Sequence, residues 1–337
     1  MNNPAKNEVI RARSKSPQKS HAGAIITSVI FVILAVFFLL NRVAVIDWFK
    51  GIGYNPTPDV LSIKTSLGLT ADGERIFNAT RPLLASRDDF NNSCESHDES
   101  VSVLGCYTGD RVYVYNVDDE SLAGIRESTT SHELLHAVWS RLAGLEKTQL
   151  IPLLESTYAD HPELKDTIES YDKSEQLDEL YVRLGTQVAD LPEELETHYA
   201  RFFADQDTIV NFYNSYIKPF DELNAKIETL KQEMSTLETE IKNRSAALDA
   251  RLASFDSRVD EFNRCADTAG CFNQWTFAAS RAELVAEQNS INLENDAINS
   301  LINSYNAKVD TYNSSILRSS ELQNLINSNS PTTKIEE

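Results

Sequence analysis

Two histidines and a glutamate lie within one five-residue stretch, His132-Glu133-Leu134-Leu135-His136. Positions four apart share a face of an α-helix, so His132 and His136 can direct two imidazole nitrogens at one metal ion. Imidazole suits Zn²⁺, which catalytic sites usually hold with three protein ligands and one water. Glu133 follows the first histidine, where its carboxylate can act as general base toward that water. The spacing therefore predicts a zinc site with hydrolytic chemistry.

The residues that flank this motif are uncharged, as expected of a helix that is buried beneath a cleft. They are Thr130, Leu134, Leu135, Ala137 and Val138. The stretch resembles the active-site helix of zincin metallopeptidases, whose signature also has Thr or Val three positions before the first histidine, here Thr129. The resemblance implies a zincin-like α+β catalytic domain, mostly helical, that hydrolyses peptide bonds with Zn²⁺ as cofactor. The alternative is that His132 and His136 are surface residues of an ordinary helix.

The third zinc ligand has to come from outside the motif. Metzincins use a histidine six residues after the second one, behind a glycine, but here those positions are Leu142 and Trp139. Gluzincins use a glutamate from a later helix, and Glu179 is the best candidate because it lies at the edge of a stripe of leucines. Glu175, one turn earlier, is either the ligand or an outer-shell group that orients an imidazole. Both can also be solvated acids in a very acidic chain.

A group that stabilises the oxyanion is the remaining part of such a site. Zincins use a Tyr, His or Arg opposite the metal, and the resemblance makes His198 and Tyr199 candidates for this catalytic role. The alternative is a surface position for His198 and core packing for Tyr199.

An apolar segment near the N-terminus predicts a membrane anchor. Residues 22–40 carry no charge and are long enough to cross a bilayer as a helix. Five basic residues and one acidic residue precede them, so the positive-inside rule places residues 1–21 in the cytoplasm, a transmembrane helix at 22–41 and the rest of the chain outside. A cleaved signal peptide is the alternative, but no small-residue cleavage site follows. Residues 42–59 read as a linker rich in helix breakers.

Composition limits the partners. The chain has 31 Lys and Arg against 51 Asp and Glu, a formal net charge of −20. Phosphate binding needs a basic face, so we expect no nucleic acid partner. Four cysteines form two pairs that are close in sequence, Cys94 with Cys106 and Cys265 with Cys271. Their spacing does not suit a metal site, and local disulfides in an oxidising space are expected.

The segment 60–217 is predicted to form the catalytic domain. Residues 111–117 alternate β-branched and aromatic side chains, which predicts a strand. The resemblance suggests that this strand forms the cleft rim and pairs with extended substrate, whereas the alternative is an internal strand. The motif helix is predicted to begin at Ser128 and to end before Gly144. Further helices are expected at about 146–158, 162–172, 174–186 and 192–204.

The C-terminal third predicts a long antiparallel coiled-coil hairpin over residues 218–327. Apolar residues recur at steps of four and three on both sides of a Gly-containing break near Cys265 and Cys271, and Pro219 precedes the first helix. We expect the hairpin to present substrate, to brace the catalytic domain or to bind an envelope protein partner. The alternative is a spacer or dimerisation rod without chemistry. Residues 328–337 are expected to form a disordered tail.

Together these observations predict a membrane-anchored, extracytoplasmic zinc metallopeptidase with a peptide or protein substrate. Two alternatives remain open: a non-catalytic structural or adhesive envelope protein on a zincin-like scaffold, and a zinc amidase that acts on cell-wall peptides. An intact Glu133 argues against a scaffold that only binds, since binding does not need a base.

Overall fold

The computed structural model describes residues 21–94 and 104–328, and this part of the chain is mostly helical. Its helices are α1 (His21–Leu40), α2 (Arg42–Gly51), α3 (Pro58–Ser66), α4 (Ala71–Thr80), α5 (Arg87–Ser93), α6 (Ile125–Arg141), α7 (Gly144–Ala159), α8 (Lys165–Glu169), α9 (Gln176–Gln187), α10 (Glu193–Tyr199), α11 (Gln206–Ala266) and α12 (Gln274–Ile326). The strands are β1 (Leu83–Ala85), β2 (Gly105–Tyr107) and β3 (Val112–Tyr115), and 3-10 turns lie at Glu120–Leu122 and Pro162–Leu164. The predicted basic tail, except for its last residue, and the predicted disordered tail from residue 329 onward lie outside the described residues.

The three strands form one small sheet in the order β1-β3-β2. β1 runs parallel to β3, and β2 runs antiparallel to it, with Leu83 and Cys106 on either side of Tyr113. The strand predicted at residues 111–117 is β3, and it is internal. The expectation that substrate pairs with this strand is therefore wrong, because both of its edges already have hydrogen-bonded neighbours. β1 and β2 are the two edge strands, and β2 is the one that lies over α6 beside the motif.

Helix α6 lies at the centre of the domain and contacts α3, α4, α9, α11, β2 and β3. Its apolar residues on both sides of the second histidine are at most 1% exposed, which confirms the predicted buried helix: Leu134, Leu135, Ala137 and Val138. The helix begins after Gly124 rather than at Ser128. Gly124 has a φ of 91°, and a Cβ there would lie 2.7 Å from the carbonyl oxygen of Phe212. Gly144 does not end α6 but begins α7.

The segment predicted as a linker is folded instead. Asp47 of α2 is 2% exposed and forms ion pairs of 3.0 Å with both Arg75 and Arg141. The hydroxyl of Tyr54 donates to the carbonyl of Pro82 at 2.6 Å. A buried carboxylate needs such partners, and these contacts make residues 42–54 part of the domain.

The predicted membrane segment corresponds to α1. Among the described residues no single helix meets the length and hydropathy required to cross a membrane. Residues 26–39 and α2 meet the requirement only together, as a pair bent by 77° at the break between them.

The hairpin is formed by α11 and α12, which pack against each other. Ion pairs join Glu233 of α11 to Lys308 of α12 at 2.6 Å and Arg244 of α11 to Glu294 of α12 at 2.8 Å. The residue number rises along α11 while that of its partner falls along α12, so the two helices are antiparallel. Helix α11 runs through Pro219, which lies inside it, and begins before the predicted boundary. Its first turns pack on the domain, since Ile209 belongs to the main hydrophobic core.

Both predicted cysteine pairs are at bonding distance. The sulfur atoms of Cys94 and Cys106 are 1.96 Å apart, and those of Cys265 and Cys271 are 1.90 Å apart. The first pair joins the end of α5 to β2, and the second closes the turn between α11 and α12.

Candidate metal centre

Three side chains from two helices converge on one point. His132 and His136 come from α6, and Glu179 comes from α9; one ligand atom of each lies within 4.8 Å of the others. The two Nε2 atoms are 3.2 Å apart, and Glu179 Oε2 is 3.7 Å from His132 Nε2 and 3.5 Å from His136 Nε2. Ligand atoms bound tetrahedrally at about 2.0–2.2 Å from one zinc ion would be separated by about 3.4 Å. These spacings show that the three side chains could hold a metal ion together.

A close helix contact brings Glu179 to the histidines. Helix α9 packs directly against α6, and Gly185 lies at the contact. A Cβ at Gly185 would lie 2.6 Å from Leu135 Cδ1 and 2.5 Å from Tyr199 Cε1. A side chain at position 185 would force Leu135 or Tyr199 to move, so glycine permits this close approach. Glu179 lies almost two turns before Gly185 on the same helix and is 3% exposed.

The second oxygen of Glu179 also has a charged neighbour. Its Oε1 atom lies 2.5 Å from Nε of Arg183, one turn further along α9. Burial alone would raise the pKa of Glu179, but His132, His136 and Arg183 outweigh burial and hold its pKa below the ordinary value. Glu179 is therefore ionised, with one oxygen turned to the histidines and the other held by Arg183.

Asp178 orients the second histidine. Its Oδ1 atom lies 2.8 Å from His136 Nδ1. Burial would lower the pKa of His136, but the hydrogen bonds to Asp178 and Glu179 outweigh burial and hold it well above the ordinary value. Burial lowers the pKa of His132 to about 3. The charged ring carries a proton on both nitrogens. A metal ion would displace the Nε2 proton, whereas the Nδ1 proton would stay donated to Asp178.

The sequence interpretation missed Asp178 and considered Glu175 for this outer-shell role. Glu175 is exposed, precedes the first turn of α9 and lines the cleft instead. Asp178 adjoins Glu179 in sequence. Neighbouring helix positions point only about 100° apart, so two adjacent acids can both face one partner helix, and this spacing could have identified Asp178.

We expect Asp178→Asn to weaken zinc binding by about 10–100-fold, since outer-shell carboxylates that hold a ligand imidazole contribute this much. The amide keeps the size of the side chain but not the charge that favours a fixed His136 orientation. Competition with a chromogenic chelator would give the dissociation constant. Asp166→Asn, an exposed residue of α8, is the control for loss of one negative charge. An unchanged dissociation constant in Asp178→Asn would remove this role.

Glu133 lies beneath the edge strand. It is 5% exposed, and a Cβ at Gly105 of β2 would lie 2.6 Å from its Cγ atom and 2.7 Å from its Oε1 atom. The same Cβ would lie 2.6 Å from Cγ2 of Thr129. Glycine at position 105 thus lets β2 pass directly over Glu133 and keeps this carboxylate next to the two histidines of α6.

Replacing Gly105 by alanine is expected to lower kcat for the hydrolysis predicted from the sequence about 100-fold. Displacing a reacting group, here the Glu133 carboxylate, by about 1 Å can cost this much. The three atoms nearest to the added methyl group belong to Glu133 and Thr129, so these two side chains are pushed aside and bound zinc should be retained. Steady-state kinetics and metal analysis of the same sample would test both statements. Gly144→Ala is the matched control, since nothing lies within 4 Å of a Cβ there. Equal kcat values for the two variants would contradict this account of Gly105.

A cleft of about 340 Å³ lies over the three ligand residues. Its size falls within the range of about 300–1,000 Å³ that is usual for ligand sites. β2 forms one wall, α9 a second, and α11 contributes Tyr213 and Tyr216, whose ring centroids are 5.5 Å apart. The sequence pattern predicts no helix between residues 204 and 218, so it gives no reason to place these two tyrosines beside the motif helix.

His198 and Tyr199, the predicted oxyanion residues, lie elsewhere. His198 Nε2 is 2.9 Å from the hydroxyl of Tyr181, and the hydroxyl of Tyr199 donates to the carbonyl of Tyr181 at 2.6 Å. Both side chains are buried, and neither is among the residues that line the cleft. Burial lowers the pKa of His198 to about 4. The structure thus places them in the packing of α10 against α9, because aromatic side chains fill the core there.

Comparison of the chain with models of protein families, with curated proteins and with solved structures gave no match.

Proposed function

We propose that this protein is a zinc-dependent peptidase of gluzincin type. His132, His136 and Glu179 hold the ion, and Glu133 is the general base. The observation that carries the proposal is the convergence of two imidazoles and one buried carboxylate at the floor of a cleft, with a further carboxylate one residue from the first ligand. In catalytic zinc sites three protein ligands leave one position for water.

The chemistry divides between the metal and the chain. Bound zinc lowers the pKa of its water and polarises the substrate carbonyl. Glu133 accepts the proton of the attacking water and passes it to the nitrogen of the leaving group. Asp178 holds the His136 ring in place, and Arg183 balances the charge of the Glu179 oxygen that faces away from the histidines.

An extended peptide is the substrate that the cleft shape favours. β2 has one partner, β3, and its other edge is free of strands among the described residues. Leu104 to Tyr107 line the cleft beside the metal ligands. A substrate strand can add to such an edge through its backbone, which presents a peptide bond to Glu133. Tyr213 and Tyr216 lie on the α11 wall, where they can contact substrate side chains.

The same proposal places the enzyme at a membrane. α1 is an uncharged apolar helix. α2 exposes the apolar side chains of Val43, Ile46, Trp48 and Phe49 to solvent, and so does Ile52, the residue that follows α2. Apolar and aromatic residues of this kind are enriched at the bilayer interface. With α1 as a single-pass anchor and a cytoplasmic N-terminus, the cleft lies outside the cytoplasm, where disulfides persist. The hairpin is then available to an envelope partner or to a second copy of the chain.

The test is hydrolysis by the purified full-length protein in detergent micelles. A library of unstructured peptides and a set of cross-linked cell-wall peptides are the two substrate classes. We expect cleavage of the first class that a chelator abolishes and one equivalent of zinc restores. Cleavage of the second class alone would favour the amidase, and no cleavage of either class by the zinc-loaded protein would favour a binding scaffold.

A further inference from the structure

The guanidinium of Arg141 joins α2, the helix after the predicted membrane segment, to β2 at the rim of the cleft. Nε of Arg141 lies 3.0 Å from Oδ1 of Asp47 in α2, and its Nη1 atom donates to the hydroxyl of Tyr107 in β2 at 2.8 Å. Arg141 is the last residue of α6, the helix that carries the two histidines. Three elements of the domain thus meet at one side chain: α2, the end of α6 and the edge strand.

Further contacts fix the position of the Arg141 guanidinium. Nη1 of Arg141 also donates to the carbonyl of Ala137 at 2.8 Å, and the guanidinium lies 5.7 Å from the centre of the Tyr107 ring. Asp47 is 2% exposed, and both of its oxygens contact Arg141. Charge-assisted hydrogen bonds of this kind are stronger than neutral ones, and they fix geometry because the guanidinium is planar.

The strand at the other end of these contacts is short. β2 has only three residues and pairs with β3 on one edge. Tyr107 is its last residue, and the Tyr107 hydroxyl also donates to the carbonyl of Gly109 at 2.7 Å. The Cys94–Cys106 pair holds the middle of the strand. Short strands hold their position weakly by themselves, so the contact from Arg141 restrains the end that the disulfide leaves free.

We propose that Asp47 is a positioning residue for substrate binding. By holding Arg141 it fixes Tyr107, and with it the edge of β2 that receives the peptide. The helix next to the membrane is then part of the binding machinery, and movement of α2 changes affinity for substrate without touching the metal ligands. The kinetic consequence rests on the proposed function, whereas the coupling between α2 and β2 does not.

Arg75 provides a matched control. It shares the Asp47 carboxylate, with Nη1 3.0 Å from Oδ2, but its other ion pair goes to Asp72 of its own helix at 2.8 Å. Neither of these two partners, Asp47 and Asp72, lies in β2. Replacing Arg75 therefore disturbs the same buried carboxylate without removing the path to Tyr107.

The experiment compares Asp47→Asn, Tyr107→Phe and Arg75→Gln in the full chain. We expect Asp47→Asn and Tyr107→Phe each to raise KM about 10-fold, the effect of losing one hydrogen bond to a charged group, with kcat and zinc content close to wild type. The double variant should resemble either single variant, because both interrupt one path. Arg75→Gln should lower thermal stability and leave KM unchanged.

Hydrogen–deuterium exchange supplies a readout that needs no activity. Amides of residues 104–109 should exchange faster in Asp47→Asn and in Tyr107→Phe than in wild type, but not in Arg75→Gln. If wild type has no peptidase activity, the proposed function fails and exchange alone decides the coupling. The proposal is overturned if exchange at residues 104–109 matches wild type in Asp47→Asn and in Tyr107→Phe. If Asp47→Asn does not fold, Tyr107→Phe decides the question by the same measurements.

Discussion

Glu133→Gln is expected to lower kcat by about 10²–10⁴-fold while leaving zinc bound, the range that general base catalysis usually contributes. Glutamine has nearly the same shape as glutamate, so it fits beneath Gly105 where the structure places Glu133. It cannot accept the proton of the attacking water. Single-turnover kinetics on a cleaved peptide, with zinc measured on the same sample, would separate loss of base from loss of metal.

The control for this substitution is Glu127→Gln. Glu127 lies in the first turn of α6 and is not among the cleft residues, so its loss changes the charge of the helix but not the site. We expect its kcat to match wild type. A Glu133→Gln variant that retained wild-type kcat would exclude the peptidase mechanism proposed for this cleft.

Glu179→Gln is expected to abolish stable zinc binding. Loss of a residue that orients a ligand costs about 10–100-fold in affinity, and loss of the ligand itself should cost more than about 100-fold. The substitution removes the charge of the third ligand. It also leaves the half-buried Arg183 without the carboxylate that lies 2.5 Å from its Nε atom. Thermal denaturation with and without zinc is the measurement, because ligand that binds only the folded state raises Tm. Wild type should show a zinc-dependent rise in Tm that the variant lacks.

Glu175→Gln distinguishes the two acids that the sequence offers as ligand. Glu175 is exposed at the mouth of the cleft, whereas Glu179 is 3% exposed and faces both histidines. Zinc should therefore raise the Tm of Glu175→Gln as it does that of wild type. The opposite pattern, with zinc lost from Glu175→Gln and kept by Glu179→Gln, would assign the third ligand to the earlier residue.

The three candidate metal ligands can be found in the sequence because each is marked by a local pattern. His132 and His136 share a helix face by their spacing, and Glu179 lies on a helix with a clear leucine stripe. Asp178 carries no such mark, since an acid next to an acid is ordinary in a chain of net charge −20. Its role depends on the angle at which α9 meets α6, which Gly185 controls through a contact with another helix.

Long-range contacts account for what the sequence did not predict. Residues 42–59 contain helix breakers, but Asp47 joins the domain through arginines 28 and 94 positions away. The internal position of β3 depends on β1, which was not assigned as a strand. Ser128 is a good N-cap by residue type, yet α6 begins earlier because Gly124 packs against the backbone of Phe212. Each of these features is set by a partner distant in sequence.

The length of the hairpin was predictable, but its attachment was not. Heptad spacing marks both helices, and the second cysteine pair marks the turn between them. Proline lacks the amide hydrogen of a helix interior, so the sequence predicts a helix boundary at Pro219. The structure continues the helix through it, with Val210 buried before this position and Leu230 buried after it. Tyr213 and Tyr216 thereby become part of the cleft wall.

Zinc K-edge X-ray absorption of the full-length protein, loaded with one equivalent of zinc, tests the central claim most directly. The account predicts two imidazole ligands with Zn–N distances of about 2.0–2.1 Å, oxygen donors at about 2.0–2.2 Å, and no sulfur. The oxygen shell should lose one carboxylate in Glu179→Ala and stay unchanged in Glu175→Ala. A wild-type protein that binds no zinc, or a spectrum with sulfur or three imidazoles, would contradict the proposed site.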